Sequence, residues 1–345
     1  MKAYSKPNIV KVGNPLYAKH GATGQVYPFV REEIEGIPVS KLVKKFGSPL
    51  FVFSETVMRE KYRQTFQSIK ARYPNVLNTG VYPVWSRFGF NLENGQAWAA
   101  VRRILKSRKL RVGGVHCHIG TFILDPTAYS KAARKLSEFI KNIENISGEK
   151  IQFLDLGGGF ASLSHLKGIY QPPEVAVPSV EDYAEAIGKE LSWLASRRPA
   201  PTLFMELGRH LVDEAGFLIT QVVGDKLLPD GRRSYVIDAG VNLLYTSTWY
   251  KFRVDLDHEV KGLMTPSVLN GPLCMNIDTV DEAILLPRLK RHQNLILSPV
   301  GAYNVTQWMQ FIQYRPAIVL ITEKGKVEVL RRAERLEDLN QLESA

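Results

Sequence analysis

The residues of this chain that could do chemistry fall in short clusters. HCHIGT (His116–Thr121) sets two histidines either side of a cysteine. LDLGGGF (Leu154–Phe160) carries three successive glycines, whose backbone N–H groups at a strand-to-helix turn can cradle a phosphate. MELGRH (Met205–His210) puts Glu206 and Arg209 close together. Further along stand IDAGVN (Ile237–Asn242), NGPLCMNID (Asn270–Asp278) with Cys274 inside it, and GAYN (Gly301–Asn304) ahead of QYRP (Gln313–Pro316). Each cluster alone has an ordinary explanation. These are a satisfied histidine on a buried strand, a tight glycine turn, a surface ion pair, a small core cysteine and a packed tyrosine. No metal site is expected.

The elements that must hold these groups follow one another along the chain. Residues 1–37 are punctuated by Pro7, Gly13, Pro15, Gly21, Gly24 and Pro28 and read as turns and short strands. Residues 38–46 read as a short helix, and Leu50–Phe53 as a strand. Ser54 caps a helix with Met58, Tyr62, Phe66, Ile69 and Tyr73 on one face, and Pro74 ends it. Then come a strand over Val112–Ile119, a helix capped by Asp125-Pro126 and running to about Ile143, and a strand over Ile151–Leu156. A helix capped by Ser179 runs through about Leu194, and a strand spans Thr202–Glu206. Strands alternating with helices predict a parallel α/β layout. From about residue 217 short β-branched runs follow: Phe217–Val223, Ser234–Asp238, Leu295–Pro299, Ala317–Thr322 and Val327–Leu330. They predict an antiparallel β domain, with a charged tail from Arg335 that frays.

Composition excludes other classes. The 345 residues, 45% apolar and 23% charged, are those of a globular protein of two domains, with no apolar run of membrane length. The polar start, Met1–Asn14, carries no secretory pattern, and Cys117 and Cys274 cannot frame disulfides, so a cytoplasmic location is expected. The net charge is +11, but the densest run, from Arg102 to Arg111, lies on and just after an amphipathic pattern set by Trp98, Val101, Ile104 and Leu105. That is a solvated helix face, and neither a nucleic-acid nor a membrane partner is expected. The excess positive charge suits an anionic ligand such as a phosphate.

It is the order of the clusters that is specific. The series HxHIG[ST], GGG, E-x-GR, DAG, GP-x-C and GAY resembles the fold-type III pyridoxal 5'-phosphate (PLP) decarboxylases, the ornithine and diaminopimelate decarboxylase family, and so does the entry EGIPVSKLVKKFGSPLFVFSE (Glu35–Glu55). The resemblance covers about residues 30–325. It implies an alanine-racemase-like fold, α/β plus β: a TIM barrel that binds PLP, then a C-terminal antiparallel β-barrel domain. The divisions expected are an N-terminal segment (1–37) joining the β domain, an incomplete barrel (38–222), the β domain (223–335) and a tail (336–345). A homodimer with shared active sites and an amino-acid substrate are implied too. So are residue roles. Glu206 matches the carboxylate on the pyridine nitrogen. Gly157, Gly158, Gly159, Gly208, Arg209 and Tyr303 match the phosphate grip, with Thr121 near it. His118 matches the imidazole stacked on the cofactor ring, and Cys274 the proton donor lent by the neighbouring subunit. Asp278 is a weaker candidate for contacting the substrate.

The pattern also departs from the family. Its cofactor-anchoring lysine stands at the end of the first barrel strand, but here no lysine occurs between Lys70 and Lys106, and SRFGF (Ser86–Phe90) resembles a motif just ahead of the HxHIG strand. The chain thus passes from before the first strand almost to the fifth. Eight barrel units take ~250 residues, whereas Lys41 to Val222 offers three clear strands and at most one more near Val76–Val84. So few strands cannot close a ring. Leu207 replaces the usual proline of the E-P-G-R motif, and Met275 stands where an acid usually follows the cysteine. The function expected is therefore PLP-dependent decarboxylation of an amino acid, impaired by loss of the lysine region. The alternatives are a non-catalytic homologue acting as a binding or regulatory subunit, or a product of gene loss that folds poorly.

Overall fold

The computed structural model describes residues 28–73, 76–78, 89–107 and 109–341, with backbone alone for 76–78. The expectations for residues 1–27, for a strand continuing from Asn78 to Val84, for Ser86–Phe88 and for the last tail residues lie outside these. The chain divides into two compact units. One holds the residues up to Ser54, Ser164–Val175 and everything from Gly216; the other holds Glu55–Leu163 and Ala176–Ala215.

The second unit is built on a four-stranded sheet in the order Val76–Asn78, Thr202–Met205, Phe153–Asp155, Gly114–His116, every pair parallel. Helices Glu55–Arg72, Gln96–Lys106, Pro126–Ser147 and Val180–Ala195 supply the crossovers that parallel strands require. The caps expected at Asp125 and Ser179 are formed. The Asp125 carboxylate accepts the Thr127 N–H at 2.9 Å, and Ser179 exchanges hydrogen bonds with Asp182 in a capping box. Strand alternation sends Val115, Leu154, Leu203 and Met205 into a core with Tyr129, Ile140, Tyr183 and Leu191. Phe153, on the opposite face, remains 40% exposed and meets Phe204 edge-on at 5.8 Å. Among the described residues the sheet is open at both edges and no barrel closes.

The first unit contains a nine-stranded sheet. Leu50–Ser54 and the helix Val39–Phe46, within the span expected for the barrel, belong to this unit. The antiparallel expectation needs correcting, because the sheet is mixed. Leu50–Ser54 runs parallel to Ala317–Ile321, and Arg233–Ile237 parallel to Thr265–Asn270. The first pair joins strands far apart in sequence, so no hairpin dictates its direction. Gly216–Leu227 runs antiparallel to Leu50–Ser54, to Asn294–Ser298 and to Arg233–Ile237. The tail differs as well: Leu336–Asn340 is helical, because the Asp338 carboxylate accepts the Arg335 N–H at 2.8 Å and pairs with Arg332. No described helix is long and apolar enough to cross a membrane.

Candidate functional site

The chemistry-bearing groups of the second unit gather at the C-terminal ends of its strands, where parallel sheets ordinarily carry their sites. His116, Asp155 and Phe204 lie in one register row. Because side chains alternate, His118 and Glu206, two residues beyond His116 and Phe204, continue the same side.

Glycine is obligatory where these ends meet. The Glu206 N–H donates to the Gly157 carbonyl at 2.7 Å, and Gly157 has φ +66°. A Cβ on Gly158 would stand 2.0 Å from the Glu206 carbonyl oxygen; one on Gly159, at φ +105°, would stand 2.3 Å from that of Gly120. Tyr129 braces the turn from below, its hydroxyl donating to the Gly158 carbonyl at 2.6 Å. Its ring belongs to an aromatic cluster with Phe160 and Tyr183, themselves stacked at 4.1 Å.

The glycine amides are largely spoken for. Gly157 N–H donates to Asp155 Oδ1 at 2.8 Å and Gly158 N–H to His118 Nδ1 at 3.0 Å. Among the described residues only the Gly159 amide of the three has no internal acceptor. The second of these bonds leaves the proton of the neutral His118 ring on Nε2, which is buried and has no partner. Burial, and then the neighbouring His116, push the His118 pKa below the usual histidine value, against the pull of Asp155 and the Gly120 carbonyl.

This gives a testable pH dependence. A folded-state pKa below the unfolded value of ~6.5 means that the unfolded chain takes up the proton first. The contribution of the His118–Gly158 bond is thus complete above ~6.5 and is lost as pH falls from there toward the depressed folded value. In an NMR titration the His118 ring should shift below the ~6.5 of an unfolded-chain histidine, with the Gly158 amide moving in step; a midpoint at or above that value would refute it.

Glu206 is held above the ordinary carboxylate range by burial and then by the nearby Asp155, with His116 opposing. Gly208 opens the short helix Gly208–Val212. Arg209, on that helix, is buried and pairs with Asp213 at 3.1 Å, its guanidinium 5.7 Å from the Phe122 ring centre. Its charge is therefore already balanced inside the unit. Thr121 is exposed.

Cys274, Asp278 and Tyr303 belong to the other unit. Cys274 is exposed, and Tyr303 is half-buried with φ +66°. Asp278, expected to reach the substrate, is instead 3% exposed, with its carboxylate accepting the N–H groups of Val241 at 2.7 Å and Leu273 at 2.6 Å. It clamps the loops around Gly240 and Gly271, which both press against it.

His116 and Asp155 were not singled out from sequence. The signal was available: each sits two residues before a residue already chosen, His118 and Gly157, and so shares its side of the strand.

Comparison with known proteins fits this geometry. Residues 70–213 match the family model described as the pyridoxal-binding domain of pyridoxal-dependent decarboxylases. Diaminopimelate decarboxylase of Methanocaldococcus jannaschii is 29% identical over 256 residues, 74% of this chain and 56% of the relative. That of Helicobacter pylori (strain 26695) is 32% identical over 241 residues, 69% of this chain and 56% of the relative. The chain spans little more than half the length of the curated relatives it matches. The crystal structure of the M. jannaschii enzyme with L-lysine superposes with TM-score 0.78 at 20% identity, covering 94% of this chain and 99% of that one. The sequence match is thus partial, while the structural match extends over nearly the whole of the crystallised chain. With its pyridoxal-binding motifs in family order on one row of strand ends, the chain belongs to the fold-type III PLP-dependent decarboxylases.

Proposed function

We propose that this chain is a decarboxylase homologue that binds PLP and an amino acid of the diaminopimelate class without a covalent anchor, so that its turnover is severely impaired. One observation carries the reading: a binding face is kept while the lysine is gone. On that face are the unpartnered His118 Nε2, the Gly159 amide and the Glu206 carboxylate, which no lysine or arginine among the described residues neutralises. These fit a flat cationic heterocycle bearing an anionic tail. No lysine stands between Lys70 and Lys106. Lys106 ends an exposed helix face, and the Lys70 ammonium lies over the Phe66 ring at 5.3 Å.

When bound, the cofactor supplies an electron sink for the carbanion that loss of CO2 leaves behind. Glu206 would hold the positive charge on the pyridine nitrogen, and a cation there would draw its pKa back down. His118 would cover the ring and keep water from it, its orientation fixed by the Gly158 amide. Gly159 N–H would take the phosphate, with Gly157, Gly158, Gly208 and Arg209 shaping the turn. Cys274 would give a proton to a neighbouring copy's site in a homodimer.

The test is to incubate the protein with PLP, reduce with borohydride and locate any adduct by mass spectrometry. The expected result is PLP retained on ultrafiltration, no lysine-linked adduct, and retention weakened roughly tenfold or more by Glu206→Ala, equivalent to one charge-assisted hydrogen bond. A single trapped lysine together with CO2 release from diaminopimelate refutes the impaired reading; failure to retain PLP refutes the binding reading. The exposed Cys274 also supports a second role, completing a site in an intact homologue. Co-purification with such a homologue, lost in Cys274→Ala, would distinguish it.

A further inference from the structure

We infer that two copies of this chain close one barrel between them, the four-stranded sheet of each supplying half of the ring. Three observations meet on that sheet. Its strands are all parallel, and an all-parallel sheet is ordinarily covered on both faces. Helices cover one face. The other carries two register rows, Gly114–Phe153–Thr202 and His116–Asp155–Phe204, and it remains accessible. Phe153 is 40% exposed, His116 is exposed, and Thr202 and Phe204 are only half-buried. The Phe153 ring lies against Gly114, where a Cβ would stand 2.2 Å from it, so an aromatic surface spans the two strands nearest that edge.

The second observation is the pair of edges. Val76–Asn78 and Gly114–His116 each have a neighbour on one side alone among the described residues. Gly113 C=O accepts the Gln152 N–H at 2.8 Å, and Cys117 N–H donates to the Asp155 carbonyl at 2.9 Å. Alternate residues of a strand point opposite ways, so Gly114 and His116 turn their backbone groups outward, where an added strand would find them. The third is number. Parallel barrels of this type close at eight strands, and this sheet has four.

A second copy meets all three demands at once. A twofold axis along the barrel axis leaves strand directions unchanged. The Gly114–His116 edge of one copy then meets the Val76–Asn78 edge of the other in parallel, and the same contact recurs on the far side. Both edges disappear, and Phe153 and Phe204 of the two copies fill the interior as side chains fill such barrels. A foreign strand would cover one edge and leave the other open. The strand ends of both copies come to one rim, so each candidate site gains a wall from the other copy. Neither cofactor retention nor Cys274 enters this contact.

The full chain should be measured by size-exclusion chromatography with light scattering across a dilution series. The parent is expected at twice the 38.9 kDa chain mass or more, and two variants at half the parent's mass. Phe153→Asp places an unpaired charge in the closed interior and should weaken association on the order of tenfold or more. His116→Pro removes the outward N–H of the edge while leaving the bonds to Phe153–Asp155 in place. Ile146→Asp, at an exposed position on the helix Pro126–Ser147, is the control and should associate like the parent. Circular dichroism verifies folding. Hydrogen exchange of the parent decides without any variant: the Gly114 and His116 amides should exchange more slowly in concentrated than in dilute solution. A monomeric parent, an assembly that survives either substitution, or exchange equal at both concentrations overturns the inference. An assembly joined through the β units alone, as a role for Cys274 in a neighbouring site would need, survives both substitutions.

Discussion

Gly158→Ala should destabilise the second unit by roughly 3 kcal/mol or more, at or above the upper end of the usual overpacking cost, and abolish retention of PLP. The reason is contact rather than backbone conformation, since Gly158 is not among the glycines at positive φ. An added methyl would stand 2.0 Å from the Glu206 carbonyl oxygen and 3.0 Å from its carbon. Neither is the tip of a side chain that could swing away. Glu206 is tied back by its own N–H to Gly157 at 2.7 Å, and Gly158 is tied down by Tyr129 at 2.6 Å. Relief must come from parting two strand ends, which also pulls the Gly158 amide from His118. Gly224→Ala is the matched control, because a Cβ there meets nothing within 4 Å. Equal urea midpoints for the two variants would show that the strand ends do not approach as described.

Asp278→Ala should cost on the order of 2–6 kcal/mol of stability, about 1–3 for each buried N–H left without an acceptor. Two such groups, Val241 N–H and Leu273 N–H, converge on its carboxylate. Gly240 and Gly271 lack side chains because that carboxylate fills the space: a Cβ on either would lie 2.2 or 2.3 Å from its Oδ1. Asp278→Asn keeps one acceptor oxygen and should fall between alanine and the parent. Equilibrium denaturation followed by tryptophan fluorescence measures all three. A residue that only touched substrate would leave the midpoint unchanged on truncation, so the same experiment decides between a clamp and a substrate contact.

Much of the local structure was legible because its causes are local. Asp125 before Pro126 and Ser179 three residues before Asp182 announce helix starts through bonds made within one turn. Family membership followed from the order of short motifs, and the shortage of strands from length and the absence of lysine between Lys70 and Lys106. These are properties of the chain read in one dimension.

What tertiary structure alone decided concerns groups distant in sequence. Leu50–Ser54 reads as a strand in either unit, and only its parallel pairing with Ala317–Ile321 assigns it to the β unit. The glycine run looked like three free amides, yet two are taken by Asp155 and His118. Asp278 was a candidate for contacting the substrate and is buried, and Arg209 matched the phosphate grip and is paired with Asp213. His116 and Asp155 are 39 residues apart and meet only through strand register, with Glu206 just beyond the end of the next strand. A hydrogen bond or a charge pair acts over a few ångströms of space, whereas sequence records separation along the chain. Motifs therefore named the groups, and folding determined which of them were already committed to one another.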